Sequence, residues 1–129
     1  MGNGREKIRK KIPGLDFYVM GLGFTWDSED LDKDKKAALA AWELSKKMIL
    51  GGEHALVVLD EITYAFHFGW ISVREASDVF EARPTHVHIV LTGRNCPELL
   101  LEQADLVSKI EAVKHPFHKG IKAQAGIDF

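Results

Sequence analysis

The sequence predicts an α/β fold with a largely parallel sheet, on three observations. Residues 55–59 (ALVVL) form an unbroken apolar run, the pattern of a strand covered on both faces rather than one alternating toward solvent. Residues 87–91 (VHIVL) form a second strand-like run. Segments with helical periodicity or helix-opening signals stand before, between and after these runs, and alternating strands and helices call for a parallel sheet.

In chain order, residues 1–13 carry five basic side chains (Arg5, Lys7, Arg9, Lys10, Lys11) against Glu6 and lack an apolar face, so they read as a loop or frayed helix, a solvated basic arm. The aromatic and β-branched run 17–20 (FYVM), bounded by Gly14 and Gly21, reads as a strand. A glycine-punctuated loop, 21–26 (GLGFTW), follows. The charged stretch 27–36 leads into a helix whose Ala37, Ala40, Ala41, Leu44 and Met48 share one face. Gly51 and Gly52 end it, with Lys46 and Lys47 near the negative pole of its dipole.

After strand 55–59, residues 62–68 suit a short helix. Ser72 followed by Glu75 forms a capping box for a helix reaching about Ala82, closed by Pro84. Beyond strand 87–91, Pro97 suits the first turn of a helix running to Leu101. Residues 106–110 read as a last strand, and 113–129 as an irregular tail.

Composition narrows the function classes. The 129 residues are 46% hydrophobic and 28% charged, which excludes wholesale disorder and fits one domain, residues 1–129. A formal charge of -2 gives no global basic field for nucleic acid or anionic membrane. No apolar run approaches the roughly 18 residues of a membrane span, and the amino terminus has no apolar segment of a secretory signal. The single cysteine, Cys96, excludes an intramolecular disulfide and a Cys-rich zinc site. A cytoplasmic protein is expected.

Several residues are candidates for chemistry. The strand ending ALVVLDE resembles a Walker B element: Asp60 and Glu61 at the carboxyl edge of a sheet can hold Mg²⁺ directly or through water. The same carboxylates could simply open the next helix. Phe24 and Trp26 could form an apolar wall for a flat ligand or cap the core. Arg94 could bind phosphate through its planar fork or pair with Asp60 or Glu61. His86 with His88, and His115 with His118, have pairwise spacing but no third ligand, so local hydrogen bonding competes with metal binding. No G-x-S-x-G occurs, and Cys96 has no evident base. A Walker A motif, G-x-x-x-x-G-K-[ST], is absent from these residues; GNGREK at 2–7 lacks the preceding strand and the GK[ST] ending.

Taken in order, GFTWD, LVVLDEITYA, RPTHVHIVLTGRNC and VKHPFHKGIKAQAGIDF resemble the ATP:corrinoid adenosyltransferase family of P-loop type, from about Gly2 to Phe129. Each motif alone is weak; their joint occurrence is specific. The resemblance implies a RecA-like, P-loop NTPase-type fold with a mostly parallel sheet and helices on both faces. It implies a cytoplasmic homodimer that moves the 5′-deoxyadenosyl group of ATP to Co(I) of a corrinoid (cobalamin or a precursor), releasing triphosphate, with a flavoprotein as reductant. It places Phe24 and Trp26 beneath the corrin ring, where apolar side chains exclude a lower ligand and ease reduction. Asp60 and Glu61 would serve Mg²⁺ on the triphosphate, and Arg94 would lie near the nucleotide.

The family's opening strand, its G-x-x-K-G-K-T-T phosphate loop with the following helix, and its second strand have no match in these residues. The expectation is therefore a sheet lacking a central strand, in a chain that self-associates, repacks, or binds another chain carrying the phosphate loop. The alternative function is a non-catalytic corrinoid-binding or partner-binding module.

Overall fold

A computed structural model describes residues 12–20 and 31–123. They fall into two compact units, one of 31–107 with Met20 and one of 12–19 with 108–123.

The larger unit opens with helix α1, Leu31–Gly51, with Asp32 and Asp34 in the first turn, where the dipole favours anions. It starts six residues before the predicted periodic face, and its buried face is turned by one residue. Trp42 and Ile49 are buried and Ala38 packs with them, whereas Ala40 is exposed. The largest apolar side chains decide which stripe faces the core, and alanines tolerate either side. Gly52, at φ +70°, turns the chain out of the helix.

Strand β1, Leu56–Leu59, follows. Helix α2, Thr63–His67, and helix α3, Val73–Glu81, come next. The Ser72 hydroxyl accepts from Glu75 N at 3.2 Å, completing one half of the predicted capping box. The Glu75 carboxylate instead accepts from Lys46 Nζ of α1 at 2.8 Å. Arg83 closes α3: its guanidinium donates to Phe80 O at 2.7 Å and to Val87 O at 3.1 Å, tying the helix end to the approach of strand β2, His88–Leu91. Pro97 then caps α4, Glu98–Gln103, standing one position earlier than predicted. Gln103 Nε2 donates to Ser77 O at 3.0 Å, joining α4 to α3.

β1 and β2 pair in parallel, with Leu56 opposite His88, Val57 opposite Ile89, Val58 opposite Val90 and Leu59 opposite Leu91. The crossover is α2 and α3, as a parallel pair requires. Val57, Leu59 and Val87 join Trp42, Ile49, Phe66, Ile71, Ala76, Phe80 and Leu100 in one apolar cluster. Trp42 meets Phe80 edge to face at 6.1 Å between ring centres.

Two strand expectations fail and one is revised. Residues 15–20 are irregular, with Tyr18 and Val19 half exposed. Residues 106–110 are irregular as well, and Ile110 is 94% exposed. Apolar pattern confers a capacity for strand, but the strand forms only where a neighbour takes its backbone groups. β1 does form, yet it is covered on one face: Val57 and Leu59 are 8% exposed, Leu56 and Val58 54% and 53%. Helices on both faces are thus not found for the described part of this sheet.

In the smaller unit, a short 3₁₀ helix, Pro116–Lys119, interrupts the predicted irregular tail. His115 Nδ1 accepts from Phe117 N at 3.1 Å and Gly120, at φ +75°, ends the turn. Among the described residues no helix is long and apolar enough to cross a membrane.

Candidate functional site at the carboxyl edge of the sheet

Parallel strands deliver their carboxyl ends to one edge, so the residues just after β1 and just after β2 arrive side by side. The β1 exit is Asp60-Glu61 and the β2 exit is Thr92-Gly93-Arg94. The ladder runs one bond past the paired register, Thr92 N donating to Leu59 O at 3.2 Å.

Side chains then join the two exits. The Thr92 hydroxyl donates to Asp60 Oδ1 at 2.6 Å and accepts from Glu61 N at 2.9 Å. Glu61 sits at φ +55°, a left-handed conformation that ordinary residues adopt only when their surroundings hold them there. Gly93, at φ +147°, lies directly over the first turn of α2. A Cβ at that position would overlap Thr63 Oγ1 and stand 2.8 Å from Thr63 Cγ2, so glycine is required by both torsion and space. The Thr63 side chain is buried, and among the described residues its hydroxyl has no hydrogen-bond partner.

The predicted residues divide into three groups. Asp60 and Glu61 stand together and exposed at the sheet edge. Arg94 stands on the adjacent exit, one residue past Gly93, exposed, and Asp60 Oδ1 accepts from the Thr92 hydroxyl. Phe24 and Trp26 lie outside the described residues. Thr63, Thr92 and Gly93 carry no role predicted from sequence; the available signal is a hydroxyl residue and a glycine directly after the second strand.

Two carboxylates at an open edge suit Mg²⁺, which keeps several waters and shares its coordination with phosphates; a cage of protein ligands is not needed. Among the described residues no group of three or more His, Cys, Asp and Glu side chains could enclose a metal. His86 Nε2 lies 2.7 Å from Gly52 O, and His115 Nδ1 accepts from Phe117 N. Burial pushes the Cys96 thiol pKa up, which disfavours the thiolate needed for nucleophilic attack.

This layout defines an α/β protein of the class that takes ligands at the carboxyl ends of parallel strands, with acidic and basic groups on neighbouring exits. The sequence comparisons narrow that class. The profile of the ATP:corrinoid adenosyltransferase family BtuR/CobO/CobP matches residues 1–129, and the chain belongs to that family. It is 44% identical over 127 residues to a corrinoid adenosyltransferase of Sinorhizobium sp, covering 97% of this chain and 59% of the relative. The corrinoid adenosyltransferase CobA of Salmonella typhimurium is 40% identical over 116 residues, 90% of this chain and 59% of the relative. A Pseudomonas aeruginosa corrinoid adenosyltransferase is 37% identical over 127 residues, 98% and 63% respectively. The chain thus spans about six tenths of the length of these curated relatives.

Proposed function

We propose that the chain takes part in transfer of the 5′-deoxyadenosyl group of ATP to Co(I) of a corrinoid, as an α/β domain of residues 1–129. The observation that carries this reading is the joining of the LDE and TGR exits at one sheet edge, in a chain of this family.

The chemistry asks for three things. Co(I), a strong nucleophile, attacks C5′ of ATP; the Co–C bond forms as the C5′–O5′ bond breaks, and both bonding electrons of that bond leave with triphosphate. The leaving group gathers negative charge, which Mg²⁺ at Asp60 and Glu61 would offset, and Arg94 would add a fixed positive charge with bidentate geometry. The corrinoid must reach Co(I), and Phe24 and Trp26 would provide apolar rings that keep donors and water from the lower face. A homodimer, a flavoprotein reductant and a cytoplasmic setting belong to the same reading. The half-exposed Leu56, Val58 and Val90 side chains supply apolar area that self-association would cover.

The test is anaerobic adenosylation of cob(I)alamin with ATP and Mg²⁺, followed by the light-sensitive spectrum of the product. Product formation that disappears in Glu61→Ala and in Phe24→Ala is expected. Absence of product with the unaltered chain would overturn the reading for this chain.

A further inference from the structure

We propose that Thr92 is the positioning residue of the carboxylate pair, its hydroxyl clasping both members of the Asp60-Glu61 turn from the neighbouring strand. The hydroxyl uses its single donor and one of its two acceptor sites, and the two bonds run in one direction. Glu61 N–H donates to Thr92 Oγ1 at 2.9 Å, and the Thr92 proton goes on to Asp60 Oδ1 at 2.6 Å. The chain of donors ends on a carboxyl oxygen, so each bond polarises the next.

The clasp explains the backbone. Glu61 occupies φ +55° without being glycine, and its own N–H is the group that Thr92 holds. If that bond is lost, the turn is free to leave the left-handed region and carry the Glu61 carboxylate with it. The bond to Asp60 orients the other carboxylate from the same atom. A second contact fixes where Thr92 stands: Gly93 packs against the buried Thr63 of α2, which holds the β2 exit down on the helix that follows the LDE turn. The threonine therefore acts through the two carboxylates and has no need to touch a substrate. Its role in the reaction rests on the reading of Asp60 and Glu61 given above.

Thr92→Val keeps the shape and strand preference of the side chain and removes only the hydroxyl; Thr92→Ser restores the hydroxyl. The first readout is hydrogen exchange of the Glu61 amide by NMR, which needs no ligand. Exchange on the order of tenfold faster in Thr92→Val is expected, with Thr92→Ser close to the unaltered chain. The second is a calorimetric titration of the full chain with Mg²⁺ and ATP. Here Thr92→Val is expected to bind roughly three- to tenfold more weakly, with rescue by serine.

Unchanged Glu61 exchange in Thr92→Val would overturn the proposal, as would a serine variant that behaves like valine. So would a titration in which Asp60→Asn weakens binding and Thr92→Val does not. If Glu61 exchange quickens with serine rescue while neither Asp60→Asn nor Thr92→Val alters the titration, or the unaltered chain binds no Mg²⁺–ATP, the clasp stands and the magnesium reading falls.

Discussion

The two faces of strand β1 are made of the same kinds of side chain, one leucine and one valine each, and meet different surroundings. On one, Val57 and Leu59 pack with Ile49, Phe66 and Phe80 in the apolar cluster. On the other, Leu56 and Val58 are about half exposed. Leu56 to Leu59 are consecutive residues of one four-residue strand, so neither composition nor strand propensity separates them. Proximity to helices does. Burial is decided by what packs onto a face, and an apolar run states only what a face would tolerate.

The largest test of that difference is truncation on the covered face. Leu59→Ala should cost about 3 kcal/mol by urea unfolding, the lost transfer energy plus a residual cavity. A cost below about 1 kcal/mol would mean that the covered face is not packed as described.

Gly93→Ala comes next, at roughly 2 kcal/mol, since both the positive φ and the overlap with Thr63 oppose a Cβ. Adding Thr63→Ala should recover part of this only, because the contact at 2.9 Å with Thr63 Cβ remains.

Removing the cap of α3, which brings Ala76 and Phe80 to the covered side, is smaller. Ser72→Ala should lower stability by about 1 kcal/mol.

On the open face, Val58→Thr should change stability by less than about 0.5 kcal/mol. A loss near that of Leu59→Ala would show the open face to be covered in solution, and sedimentation of the same samples would tell whether a second copy covers it.

The smallest effect is electrostatic. The bond from Lys46 holds the Glu75 carboxyl below its usual range, and the Glu43 and Glu75 carboxylates hold Lys46 above its own. For Glu75 the sign follows from the depressed value: its contribution is present above the ordinary carboxylate pKa and fades as pH falls through the lowered one. Glu75→Gln should flatten the acid limb of a stability–pH curve slightly, and salt should shrink the difference, since the pair is exposed.

The sheet edge was half legible in advance. Acidic residues directly after an apolar strand place themselves at the carboxyl edge once the sheet is parallel, and Arg94 after the second strand follows the same logic. What could not be read was the link between them. Thr92 touches Asp60 and Glu61 across 32 and 31 positions of sequence, and no local pattern encodes a contact of that span. The α1 face differs by one residue from the predicted one for a related cause: several alanines and leucines offer alternative stripes, and only packing selects Trp42 and Ile49.

The amino-acid sequence by itself determined the α/β class, the helix starts at Ser72 and Pro97, the two strands that pair, the family, and the acidic and basic residues at the strand exits. These depend on neighbours within a few positions, where periodicity, caps and motif spacing act. The tertiary structure alone decided which sheet face is buried, that residues 17–20 and 106–110 do not become strands, that Gly93 must yield to Thr63, and that one threonine hydroxyl joins the two exits. Each of these depends on groups far apart in the chain meeting in space, where pairing and close packing select among the options that local sequence leaves open.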